Sequence, residues 1–148
     1  MKKAMFISIL LFHFFSYSQE KIFFPKKIVD EMNIMIENDQ KYRSYISKNK
    51  QTLIKSDQDS LWKLQTNIDT YNINRLVQLI EEFGYFDSSN SNIKAPIFIF
   101  FMHTPKDMKD KVSNLIHSEY ENGKIDKASY GMILWHLEGR PEPIIKYN

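Results

Sequence analysis

Six polar side chains interrupt or border two apolar helix stripes, and chemistry in this chain would run through them. Asp39 and Arg43 stand in one stretch, and Gln65, Asp69, Asn72 and Arg75 in the next. At about 100° per residue, Asp39 projects roughly 20° from Ile28, inside the arc formed by Ile28, Met32, Met35, Tyr42 and Ile46. Arg43 follows four residues later, the favourable order for an acid and a base on a helix. Gln65, Asp69 and Asn72 form an i, i+4, i+7 row at the edge of the second arc, and Arg75 joins from the other side. A charge turned towards a core is costly unless paired and hydrogen-bonded. The two rows are therefore expected to face each other and share one buried or half-buried network. Networks of this kind commonly fix helix register. Less commonly they are pockets whose acids have perturbed pKa values. His103 ends an apolar run just before a helix start, where a lone histidine is more often structural than catalytic. If it reaches Asp39 or Asp69, those three are the candidates for proton transfer.

Other chemistries have weaker support. His103, His117 and His136 lie on different segments, and no HExxH, EF-hand or Cys/His spacing is present, so neither a metal nor another cofactor is expected. There is no phosphate-cradling glycine loop, nucleophile elbow or cysteine nucleophile.

Helices must position these residues. With 4 Gly and 5 Pro, the composition favours helices over a sheet. The apolar spacing predicts a first helix over about 26 to 48 and a second over about 58 to 83. The second has Asp57 or Ser56 as its cap, a face of Leu61, Leu64, Ile68, Leu76, Leu79 and Phe83, and Gly84 at its end. Tyr85 to Asn92 reads as a polar loop. The run Ile97 to His103, apolar all round, reads as a short buried helix with Phe98, Phe100 and Phe101 in the core. Thr104 and Pro105 are expected to cap and open a fourth helix with Met108, Val112, Leu115 and Ile116 inward and Gly123 at its end. Asp126 should cap a fifth, with Ile125 and Tyr130 spaced as a hydrophobic staple and Gly139 closing it. The expected fold is all-α, about five helices in one compact domain.

Residues 1 to 18 have the parts of a secretory signal. Lys2 and Lys3 are basic, Ala4 to Phe15 form an apolar run, and Ser16-Tyr17-Ser18 supply small residues for cleavage before Gln19. The run of twelve residues is too short for a membrane helix, which needs roughly 20. The expected organisation is a signal peptide at 1–18 and a helical domain at 19–148, periplasmic or secreted, with no membrane anchor after cleavage. Of 20 Lys+Arg and 18 Asp+Glu, the signal holds two bases and no acid, so the remainder is formally neutral at 18 of each. Nucleic acid, which requires a clustered basic excess, is not an expected partner. With no cysteine, the domain must hold together by packing.

Asp39-Gln40-x-x-Arg43, Asp69-x-x-Asn72-x-x-Arg75-Leu76, a glycine after that helix, a histidine after an apolar stretch, and Glu138-Gly139-Arg140-Pro141 occur in this order. Over about residues 30 to 142 the chain resembles a bacterial domain-of-unknown-function family, number 6624, often found behind signal peptides. The resemblance implies that Asp39, Gln40, Arg43, Asp69, Asn72 and His103 belong to one polar centre. The chain also departs from the family. Gly84-Tyr85-Phe86 replaces Gly-Trp-Pro, His103-Thr104-Pro105 replaces His-Ala-Asp, Met132-Ile133 replaces Asp-Arg, and Pro141-Glu142-Pro143-Ile144-Ile145 replaces the Pro-Gln-x-Tyr-Gly ending. Any active site the family has is incomplete here. The expected function is therefore a non-catalytic binding or interaction module for an envelope or extracellular protein or small molecule. The alternatives are an envelope hydrolase using Asp39 or Asp69 with His103, and an inhibitor or immunity-type protein.

Overall fold

A computed structural model describes residues 21–141, so the predicted signal peptide lies outside the described residues. The domain is all-α, and the long helix expected near the middle of the chain is its axis. We label the helices α1 (Lys26–Asp39), α2 (Lys41–Lys48), α3 (Lys55–Phe83), α4 (Phe98–Met102), α5 (Lys109–Glu121) and α6 (Lys127–Leu137). At 29 residues, α3 is about 43 Å long. α1 and α2 pack along it, while α4 and α5 pack against it and α6 packs on both of those.

The core surrounds the C-terminal half of α3. Ile73, Leu76, Val77, Leu79 and Ile80 meet Met32 and Met35 of α1, Phe100 and Phe101 of α4, Val112 and Ile116 of α5, and Ile133 and Leu137 of α6. Gly84 ends α3 with φ 80° and ψ 173°, a region essentially closed to residues bearing a Cβ. The segment expected to be a polar loop is partly core, because Tyr85 and Phe86 are buried. It is tied down by polar side chains. Glu119 accepts the Tyr85 amide at 2.7 Å, and Asn92 both accepts from and donates to the Phe24 backbone, at 2.8 and 2.9 Å. Phe24 in turn packs edge-on against Phe83 and Phe86.

Several boundaries differ from expectation. The first helix is two helices, broken at Gln40 (φ −99°, ψ 0°), whose amide bonds to the Asn38 carbonyl. α3 begins three residues early with Ile54 at its N-cap and no side-chain cap, so Asp57 lies in the first turn and not at the cap. Thr104 does not cap the fourth helix. Its hydroxyl donates to the Phe101 carbonyl, and a 3-10 turn, Lys106–Met108, precedes α5. Phe98 is 38% exposed and lies outside the core.

Asp126 caps α6 as expected, accepting the amides of Ala128 and Ser129 at 2.9 and 3.0 Å. The hydrogen bonds from Ser129 hold its carboxyl below the ordinary 3.8. Asp126→Ala is expected to cost ~1 kcal/mol near neutral pH. Because the folded-state pKa is depressed, this contribution is complete above the ordinary value and is lost as pH falls through the folded one. Urea midpoints of wild type and variant should differ at pH 7 and converge in acid.

Candidate functional site

The polar centre forms where the α1–α2 break meets α3. Ending α1 at Asp39 leaves its carbonyl free of the helical ladder, and starting α2 at Lys41 leaves the Tyr42 amide without an intrahelical acceptor. Gln65 on α3 satisfies both. Its Nε2 donates to the Asp39 carbonyl at 2.8 Å, and its Oε1 accepts the Tyr42 amide at 3.0 Å. Gln65 Nε2 also lies 3.0 Å from Asp69 Oδ1. Arg43 adds a second bridge, with Nη1 donating to the Asp39 carbonyl at 2.6 Å and Nη2 to Asp69 Oδ2 at 2.5 Å. One turn further along α3, Asn72 donates to the Met35 carbonyl at 3.3 Å. The two rows thus face each other, as their positions in sequence predict.

Asp39 has other partners. Gln40 Nε2 donates to its Oδ2 at 2.7 Å, and His103 Nδ1 stands 3.0 Å from the same oxygen. The Arg43 guanidinium is 3.9 Å from Asp39 Oδ1, so its close carboxylate partner is Asp69, not the Asp39 expected from the i,i+4 spacing. Asp39 and Gln65 are wholly buried, and the side chains of Arg43 and His103 are each 17% exposed. Among the described residues, no buried side-chain polar atom lacks a hydrogen-bond partner.

Arg75 does not belong to this centre. It forms a two-pronged pair with Glu31 of α1, at 2.8 and 3.0 Å, which holds the Glu31 carboxyl below its ordinary value. Arg75 projects about 120° from Asp69 around α3, and α1 brings Glu31 to it there. His117 is exposed and meets the Tyr130 hydroxyl at 2.8 Å. His136 accepts from Arg140 Nε at 2.9 Å, and burial, followed by the nearby Arg140 and His103, pushes its pKa down.

Asp39, Asp69 and His103 bring donor atoms within 4.8 Å of one another, the one such grouping of potential metal ligands among the described residues. The set suits a cation poorly. A guanidinium already sits against Asp69, and amides from Gln65 and Gln40 take further carboxylate oxygens. What remains chemically open is His103 Nε2, which has no hydrogen-bond partner among the described residues, while Nδ1 is held by a buried carboxylate.

The largest departure from expectation is in α3 itself. Along its first half the buried face is polar (Gln65, Asp69, Asn72), while Leu64 is 46% and Tyr71 58% exposed and Leu61 and Ile68 are only half-buried. The expected apolar face, Leu61, Leu64 and Ile68, is therefore only partly covered. It borders two concavities in line along α3. One, of about 700 Å³, includes Ile34, Met35, Ile68 and Tyr71, and the other, of about 510 Å³, includes Tyr42, Tyr45, Leu53 and Leu61.

Searches with family models, among curated proteins and among solved structures found no match to this chain.

Proposed function

We propose that the chain is an exported helical domain that acts by association and not by catalysis. In this reading the polar centre is a structural keystone, and the apolar edge of α3 is the surface that receives a partner. The observation that carries the reading is the reversal along α3, where polar residues are enclosed and satisfied while Leu64 and Tyr71 are exposed and Leu61 and Ile68 only half-buried. Exposed apolar side chains aligned along one helix edge mark interaction sites, whereas single scattered ones carry no such meaning. The leader-like residues 1–18 support export, and the resemblance to a family often found behind signal peptides is consistent with export alone.

A photo-cross-linking residue placed at position 64 or 71 in the exporting host tests this. A covalent adduct is expected from both positions and none from 63 or 74, on other faces of the helix, and the adduct should persist in His103→Ala. Absence of an adduct, or equal adducts from all four positions, would defeat the proposal. The second reading rests on His103, oriented through Nδ1 by buried Asp39 with Nε2 free, the arrangement of a proton-transfer dyad. It gains support only if a phenotype of the chain is lost in His103→Ala and retained when Leu64 is made polar.

A further inference from the structure

The edge of α3 that the fold leaves open has a defined seam. Asp57, Leu61, Leu64, Ile68, Tyr71 and Arg75 follow one another at intervals of four, three, four, three and four residues, the repeat by which one helix packs lengthwise on another. The four apolar members span eleven residues, about 15 Å of helix from first to last. An acid closes the N-terminal end and a base the C-terminal end. Asp57 is exposed and has no ion-pair partner among the described residues. Arg75 holds Glu31 through Nε and Nη2, leaving Nη1 to Gln78 at only 3.4 Å.

We propose, as a deepening of the association reading above, that the occupant of this seam is a second copy of the chain, with the two α3 helices antiparallel across a two-fold axis. The seam is symmetric about the level of Thr66. Running it antiparallel against itself sets Leu61 against the partner's Tyr71, Leu64 against the partner's Ile68, and Asp57 against the partner's Arg75. The same operation repeats each contact, as an isologous interface requires. The rims of the two concavities are of mixed charge, with Lys41 and Asp57 at one end and Lys26, Lys27, Asp30 and Glu31 at the other, so the direction rests on Asp57 and Arg75. A parallel pair would oppose Asp57 to Asp57 and Arg75 to Arg75, placing like charges together at both ends. An extended peptide has no sheet edge to join here, since the described residues contain only one isolated bridge, Ile22 with Ser91, and neither residue belongs to α3. A helix satisfies its own backbone and needs only an apolar stripe of matching period.

Sedimentation equilibrium of the exported chain should show a concentration-dependent dimer. Leu64→Asp should reduce it to a monomer with unchanged helical content, as expected for a side chain already nearly half exposed. Because the chain has no cysteine, introduced thiols report the direction. A mixture of Leu61→Cys and Tyr71→Cys proteins should form a disulfide-linked pair on mild oxidation, while Leu61→Cys alone should not. Efficient linkage of Leu61→Cys to itself would indicate a parallel pair and overturn the proposal. So would a dimer unaffected by Leu64→Asp, or a monomer at every soluble concentration. A monomer that still cross-links through position 64 to a different protein would overturn self-pairing while leaving the association reading intact.

Discussion

Arg43→Ala is expected to destabilise the fold by ~3–5 kcal/mol, the range for removing one partner of a buried ion pair. The substitution leaves the Asp69 carboxylate, on a residue 8% exposed, with only the Gln65 amide as a close donor, and it removes one of two donors from the Asp39 carbonyl at the helix break. Asp69→Ala should cost a similar amount by stranding the guanidinium. Replacing both, as Arg43→Met with Asp69→Leu, removes the charges together and should recover most of the loss, because Gln65 still holds the Asp39 carbonyl. Denaturant midpoints of the four proteins complete the cycle. Single losses under about 1 kcal/mol would mean that the pair behaves as a surface bridge.

The second large effect is expected at Gln65, which has no formal charge. Gln65→Leu keeps the volume nearly constant but strands the Tyr42 amide, for which Gln65 Oε1 is the acceptor, and withdraws a donor from each of Asp69 and the Asp39 carbonyl, which keep Arg43. A buried polar group left unsatisfied costs about 1–3 kcal/mol, so with one group stranded and two weakened the loss should be ~3 kcal/mol. It should be accompanied by faster hydrogen exchange at the first turn of α2, because α2 is capped in trans by this side chain. Exchange in that turn matching wild type would show that the break does not depend on Gln65.

Helix content, the end of α3 at Gly84, the burial of Phe100 and Phe101 (though not of Phe98) and the Asp126 cap were legible in the sequence because each depends on local spacing or a single residue's backbone preference. The meeting of Asp39 and Arg43 with Gln65, Asp69 and Asn72 was legible because stripes interrupted by polar residues need mutual satisfaction. The break at Gln40 was not, since Gln40-Lys41 contains no Gly or Pro and both residues favour helix; tertiary hydrogen bonds from Gln65 and Arg43 stabilise it. The partners of Arg75 and Asp39 were misassigned for a related reason. Projection gives a direction on a helix but not which neighbouring helix lies there, and α1 brings Glu31, while α4 leads to His103. The reversal of α3 was hidden by the usual rule that the apolar arc faces inward, which the polar demands of the α1–α2 break override in the first half of that helix.

Adjacent residues 64 and 65 provide the most direct test of the central claim, that the polar row of α3 holds the fold while its apolar edge faces outward. Urea midpoints of wild type, Leu64→Gln and Gln65→Leu should be measured in dilute protein, where association does not contribute to stability. The account predicts Leu64→Gln within ~0.5 kcal/mol of wild type, as for an ordinary surface change, and Gln65→Leu lower by ~3 kcal/mol. The reverse order, with the leucine essential and the glutamine dispensable, would contradict it.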